Sequence, residues 1–460
     1  MNADRYDAIV IGTGQAGVPL AAALAQAGRR TAIIERRHVG GTCVNEGCTP
    51  TKTMIASART AYVARRAAEY GVRTTMVAVD LAAVVARKRR VVESFRTGVE
   101  HRLAKAGVEL IRGNASYIDG GTIRVATVGD SARTLTSSLS VINTGGHPSR
   151  PNIPGIDQVT AFDSMSIMEL TALPEHLVVV GGGYVGVEFA QMFRRFGSEV
   201  TLVQRGHRLL SREDPDVADG LAEVLRGEGI TVLLGAMPTR VESGRDTAVV
   251  VTAQTMDGER SIAGSHLLVA TGRDPNTATL GLDAAGVATY GRGYVKVNER
   301  LQTSAPGIYA AGDVTGEAEF THIAYDDYRI LRRNLLEGGG ATTTGRLVPY
   351  TVFTDPQLGR IGLTESEARG AGLTVRVARL PMSAIARSIE TDEMRGFMKV
   401  VVDTSTQRIL GAAVLGVEGG EIMGALEIAM LGDLPYTRLR DAIFAHPTLL
   451  EAFNKLFTDV

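Results

Sequence analysis

Two stretches of this chain share one layout, and few folds accommodate two such units. The first, "YDAIVIGTGQAGVPLAAALAQAGRRTAIIER", reads as an apolar strand, a glycine turn, an amphipathic helix and a second strand. The second, "HLVVVGGGYVGVEFAQMFRRFGSEVTLVQR", repeats it. The turns are Gly12-x-Gly14-x-x-Gly17 and Gly181-x-Gly183-x-x-Gly186. In such a turn the first glycine permits the tight bend. The second admits a pyrophosphate close to the backbone, and the third lets helix pack on strand. The helix N-terminus then offers unpaired N–H groups to the phosphates. One turn alone is weak evidence. Two, each between a strand and a helix, predict two dinucleotide sites.

The copies differ at one telling position. Glu35 lies 23 residues after Gly12, at the end of the second strand. A carboxylate there accepts hydrogen bonds from a ribose 2′-OH. The equivalent residue, 23 after Gly181, is Gln204, followed by Arg205. A carboxylate repels a 2′-phosphate, whereas arginine pairs with it. The first site is therefore expected to take an adenosine with a free 2′-OH, and the second to take NADPH.

Other segments also end in ligand loops. "SLSVINTGGHPSRPNIPG" runs from apolar residues into Thr144-Gly145, and "GSHLLVATGRDPNTATLGL" into Thr271-Gly272. "GIYAAGD" ends at Asp313, where an aspartate can hold a sugar hydroxyl. After the linker-like "EGGGATTTGR" come strand-like "FMKVVVD" and "ILGAAVLGV" and helical "GGEIMGALEIAML". This pattern suits an α+β domain with an antiparallel sheet. The expected fold class is α/β, with two Rossmann-like dinucleotide-binding domains and a C-terminal α+β domain. Its expected segments are 1–150, 151–270, 271–338 and 339–460.

Composition closes off other classes. The net charge of −1 leaves no basic footprint for nucleic acid. The run Arg87-Lys88-Arg89-Arg90 reads as a solvated helix face. No apolar run reaches the ~18 residues of a membrane span. "MNADRYDAIVIG" passes directly into a buried-strand pattern with no signal peptide, so a cytoplasmic protein is expected. Cys43 and Cys48 are the only cysteines in 460 residues. They argue against a disulfide framework and for redox or catalytic use. No neighbouring ligands complete a metal site, so none is expected.

The whole chain resembles the flavin- and NAD(P)H-dependent disulfide reductases, which include glutathione reductase, dihydrolipoamide dehydrogenase and mercuric reductase. The resemblance rests on the Gly12 turn, "GGTCVNEGCTPTK", "GGGYVGVE", "ATGRDPN", "GIYAAGD" and "HPTLLEAF". Locally, the opening turn and the segment after Cys48 look most like mercuric reductases. The resemblance implies FAD in the first site, NAD(P)H in the second, and a last domain that forms a homodimer with a composite active site. It implies FAD or nucleotide contacts at Gly41, Thr42, Lys52, Ala115, Thr144, Gly145, Gly272 and Asp313.

The resemblance also implies that Cys43 and Cys48 form a redox-active disulfide. Residues five apart in a regular helix lie roughly 8–9 Å apart. A disulfide wants about 4.4–6.8 Å between Cα atoms, so an irregular helix start is expected around Gly47 and Pro50. By the same resemblance Cys48 faces the flavin and Cys43 attacks substrate. Lys52 and Glu188 serve the flavin as a charged pair, and Tyr184 covers it until nicotinamide enters. His446, with Glu451 as its orienting carboxylate, is the acid–base of thiol exchange across the dimer. Mercuric reductases generally lack this histidine and carry a C-terminal cysteine pair, whereas this sequence reads "NKLFTDV". The expected function is NADPH-dependent reduction of a small disulfide or related oxidised sulfur species. Mercuric(II) reductase and dihydrolipoamide dehydrogenase are the enzyme alternatives, and a flavin-loaded sensor is the non-enzyme one.

Overall fold

A computed structural model describes residues 3–127, 131–244 and 248–460. The chain folds as two compact units. One comprises Met1–Met54, Ala83–Ser149 and Gly272–Arg346; the other comprises Ile55–Ala82, Arg150–Thr271 and Leu347–Val460.

The first unit is built on a five-stranded sheet ordered Ile308–Ala310, Ser140–Ile142, Ala8–Ile11, Thr31–Glu35, Glu109–Arg112. All its pairings are parallel, with Ile9 opposite Ala32 on one side and Ser140 on the other. Every residue of Ala8–Ile11 is buried, as a strand covered on both faces requires. The glycine turn leaves the C-terminal end of this strand, which has a neighbour from each half of the sheet. That is the crevice where doubly wound sheets bind ligands. A four-stranded sheet containing Asn114–Tyr117 also belongs to this unit.

The second unit repeats the plan. Its parallel sheet is ordered Ala161–Phe162, His266–Val269, His176–Val180, Glu199–Gln204, Thr231–Leu234. The helix Tyr184–Phe196 follows the second glycine turn, with Phe189, Phe193 and Phe196 all buried. The C-terminal segment forms an antiparallel sheet ordered Tyr350–Val352, Gln357–Gly362, Ile409–Gly416, Phe397–Asp403, Val375–Pro381. The helix Gly419–Leu431 buries Ile422, Leu426 and Ala429 in one cluster with Val400 and Val414. The α+β character expected from the sequence is found here.

One expectation fails. Lys88 is only 3% exposed, although Arg87, Arg89 and Arg90 face solvent. Within the helix Leu81–Lys105 it shares a stripe with buried Val85 and Val92 at i−3 and i+4. Its methylene stem therefore continues an apolar face, and the basic run is not uniformly solvated.

Candidate active site

In the first unit, the cysteine segment is locked to the glycine turn. Thr13 Oγ1 donates to Glu35 Oε2 at 2.5 Å and accepts from Gly40 N–H at 3.1 Å. Thr13 N–H donates to the same carboxylate oxygen at 3.2 Å. Gly41 has φ +63, and a Cβ there would lie 2.7 Å from Gly14 Cα. Only glycine therefore lets the cysteine segment pack on the turn. A Cβ on Gly14 would lie 2.6 Å from Asn143 Oδ1, the oxygen that accepts the Gly17 N–H at 2.9 Å. Asn143 Nδ2 donates to Ala311 O at 2.7 Å, so one amide fixes both the turn and the adjoining strand end.

The helix expected to start irregularly does so. A short helix, Gly41–Asn45, carries Cys43; it breaks at Glu46 and Gly47, and Cys48 opens the helix Cys48–Arg65. Cys43 is partly buried and Cys48 is exposed. The Cys48 thiol hydrogen-bonds that of Cys43 and, with burial, pushes the Cys43 thiol well above its usual range. A hydrogen bond with Thr321 and the Lys52 charge pull the other way. Cys48 Sγ lies 3.3 Å from Thr321 Oγ1. A thiolate formed at Cys48 would sit at a helix N-terminus, where the dipole favours it.

The remaining cofactor candidates of this unit differ in setting. Gly12, Gly14, Gly17, Glu35, Gly41 and Thr42 gather at the turn and the cysteine helix. Thr144 and Gly145 follow the strand Ser140–Ile142 and are held by Asn276, whose side-chain amide donates to Thr144 O at 2.8 Å. Thr144 Oγ1 is buried and has no hydrogen-bond partner among the described residues. This orphaned hydroxyl and the glycine cradle fit a bound dinucleotide such as FAD. Gly272, at φ +125, accepts the Ser149 N–H at 2.9 Å. Burial raises the Asp313 carboxyl, against the opposing pull of Arg273. Ala115 lies in the neighbouring sheet opposite Val125, with its side chain in the hydrophobic core.

In the second unit, Gln204 ends its strand as Glu35 does in the first. Its Oε1 accepts the Gly182 N–H at 3.0 Å, as Glu35 accepts the Thr13 N–H. The fold thus reuses one brace, but Gln204 lacks the charge. Arg205 is exposed beside it and has no carboxylate within 4 Å among the described residues. Gly181, Gly183 and Gly186 form the turn, and Tyr184 opens the following helix. The Tyr184 ring stacks obliquely on Tyr350, with centroids 5.4 Å apart. The Tyr350 hydroxyl donates to the buried Glu213 carboxylate, which Arg360 pairs at 3.2 Å. Burial raises both Tyr184 and Glu213. Glu188 is buried and accepts the Phe353 N–H at 2.8 Å.

His446 side-chain exposure is 72%, with Nδ1 lying 2.9 Å from Glu451. The carboxylate fixes Nδ1 and leaves Nε2 as the working nitrogen. Sequence reasoning missed Thr13, Asn143, Thr321 and Tyr350. Their partners lie far along the chain, and only Thr13, inside the first glycine turn, and Asn143, beside a quoted Thr-Gly turn, carried a local signal. Among the described residues, no group of three or more His, Cys, Asp or Glu side chains is arranged to hold a metal ion. No described helix is long and apolar enough to cross a membrane.

Residues 6–327 match the family model described as pyridine nucleotide-disulphide oxidoreductase. Residues 348–457 match that family's dimerisation domain. The chain is 40% identical to the probable pyridine nucleotide-disulfide oxidoreductase RclA of Escherichia coli, over 99% of each chain. It is 37% identical to a mercuric reductase of Staphylococcus aureus, over 98% of this chain and 81% of that one. A solved structure, the Cu(II) complex of the HOCl-induced flavoprotein disulfide reductase RclA from Escherichia coli, superposes with a TM-score of 0.90. That comparison covers 100% of this chain and 99% of the other, at 40% identity.

Proposed function

Because this chain belongs to the pyridine nucleotide-disulphide oxidoreductase family, we propose that it reduces a small disulfide, or a related oxidised sulfur species, at the expense of NADPH. The observation that carries this reading is the pair of mutually hydrogen-bonded thiols, Cys43 and Cys48, at a helix break packed on a dinucleotide turn. FAD, when bound, supplies the two-electron path from nicotinamide to the cysteine pair. The Gly12 turn, Glu35, Gly41, Thr42, Lys52, Ala115, Thr144, Gly145, Gly272 and Asp313 are the proposed residues of its site. The Gly181 turn, Gln204 and Arg205 are proposed for NADPH; Glu188 is proposed for the flavin, and Tyr184 as the ring that covers it until nicotinamide enters.

The cysteine chemistry then runs as follows. Cys43 loses its proton and attacks one substrate sulfur; the substrate S–S bond breaks and a thiolate leaves. His446 of the partner subunit, oriented by its glutamate, takes the first proton and gives one to the leaving thiolate. Cys48 gives up its proton and attacks Cys43 Sγ; the Cys43–substrate S–S bond breaks, the second substrate thiolate leaves and takes up that proton, and the Cys43–Cys48 disulfide forms. Two electrons have passed from the dithiol to substrate. The raised Cys43 thiol makes a base necessary, because the thiolate is the nucleophile.

The homodimer is part of this proposal. The match to the dimerisation domain supports it, and exposed Ile428, Leu431, Leu434 and Ile443 supply apolar surface for an interface. The proposed compartment is the cytoplasm, where thiols stay reduced. The second reading, Hg(II) reduction, is favoured by the mercuric reductase relative. The test is NADPH oxidation by the FAD-loaded protein with a panel of small disulfides, beside Hg(II) in excess thiol and Cu(II). Turnover on a disulfide and none on the metals supports the first reading; turnover on Hg(II) alone supports the second.

A further inference from the structure

The second unit contains a cavity of about 840 Å³ lined by six arginines: Arg65, Arg66, Arg194, Arg195, Arg379 and Arg395. Three of them are accounted for by carboxylates. Arg195 is buried, pairing Glu228 at 2.7 Å and Asp355 at 2.5 Å, and Arg395 shares Glu228 at 2.6 Å. Arg66 pairs Glu69 at 2.8 Å and Asp392 at 2.5 Å. These pairs join the helix Tyr184–Phe196, the C-terminal segment and the end of the helix Cys48–Arg65. Holding the unit together is reason enough for them.

The other three are not explained that way. Arg65, Arg194 and Arg379 have no carboxylate within 4 Å among the described residues. Arg65 donates to the backbone oxygens of Arg195 and Phe196. Arg194 donates to Glu228 O at 2.8 Å and Ser198 O at 3.3 Å. The Arg379 guanidinium lies 3.8 Å from the Phe397 ring centroid. Against these three charges the lining sets one further carboxylate, exposed Glu223. Among the lining side chains, six arginines stand against three glutamates, Glu69, Glu223 and Glu228.

Guanidinium groups present a planar fork that matches phosphate oxygens, and the cavity falls within the roughly 300–1,000 Å³ of small-molecule sites. It is not the dinucleotide turn. Arg194 and Arg195 sit in the last turn of the helix that the Gly181 turn begins. Its 13 residues span about 20 Å at ~1.5 Å each. We propose that this cavity binds a small molecule carrying a di- or polyphosphate, through Arg65, Arg194 and Arg379, at a site separate from the Gly181 turn.

Calorimetric titration of the FAD-loaded full chain with inorganic pyrophosphate, in saturating NADP⁺, tests this. The wild type is expected to bind, and Arg65→Gln/Arg379→Gln to bind at least tenfold more weakly while keeping its FAD content. Arg379→Gln alone, at an exposed position, is expected to weaken binding severalfold should the double variant fold poorly. No binding to the wild type at millimolar pyrophosphate, or undiminished binding to the variants, overturns the proposal.

Discussion

Nδ1 of His446 lies 2.9 Å from one oxygen of Glu451 and 3.1 Å from the other, while the imidazole stands in solvent. A carboxylate spent on orienting an exposed ring is a poor investment for folding, since exposed ion pairs contribute only about 0–1 kcal/mol. The arrangement suits a ring that must shuttle protons. His446→Ala is expected to slow reduction of substrate by the dithiol about 10²–10⁴-fold, with NADPH oxidation by the flavin unchanged. Stopped-flow measurement of the two half-reactions separates these effects; equal slowing of both would count against the role.

The Cys43 thiol is raised, first by its hydrogen bond with Cys48 and then by burial. Its thiolate fraction therefore grows as pH rises through the alkaline range. Without His446 as base, the residual disulfide turnover of His446→Ala should climb steadily with pH. A wild-type-like plateau near neutrality in that variant would show that another base serves Cys43.

Gln204 and Glu35 brace equivalent turns, but only Glu35 carries charge. Arg205→Ala is expected to raise KM for NADPH by about tenfold or more, the worth of one charge-assisted hydrogen bond. KM for NADH should hardly move. Steady-state kinetics with both nucleotides decides it, and parallel changes would remove Arg205 from 2′-phosphate recognition.

Tyr350 connects Tyr184 to buried Glu213. Tyr350→Phe keeps the ring contact but takes a donor from a buried carboxylate, which costs about 1–3 kcal/mol. The expected results are a lower Tm and an altered KM for NADPH, as Tyr184 loses its fixed neighbour. A change in Tm alone would mean that Tyr350 serves stability only.

Burial would raise the Asp355 carboxyl, but Arg195, Arg59 and Arg395 outweigh it and hold the group below its usual range. A depressed carboxylate contributes stability that is present above its unfolded pKa, ~3.9, and lost as pH falls through the folded value. Asp355→Asn leaves Arg195 buried with one partner fewer and should cost about 3–5 kcal/mol at neutral pH. The variant's deficit should shrink in strong acid. Denaturant titrations at neutral and acidic pH read both.

What was legible in the sequence was local. The glycine turns, the cysteine spacing, the Thr-Gly ends and the His446–Glu451 pair each lie within a short window, and for the cysteines and His446 it was the family resemblance, not the spacing, that implied a role. The supports were not legible, because they are long-range. Asn143 holds Gly17 from 126 residues away, and Thr321 meets Cys48 from 273 away. No periodicity encodes such pairings. The burial of Lys88 is hidden from the sequence for a related reason: charge type alone conceals which face of a helix a residue occupies. The sequence suggests Glu35 as a ribose ligand; that it braces Thr13 is visible only with the turn in three dimensions.

The central claim is that Cys43 discharges electrons from NADPH into a small disulfide. Its most direct test is NADPH oxidation with a disulfide panel by wild type and Cys43→Ser, both FAD-loaded. The account predicts turnover on at least one disulfide by the wild type and none above background by Cys43→Ser. Undiminished disulfide turnover in Cys43→Ser would contradict it.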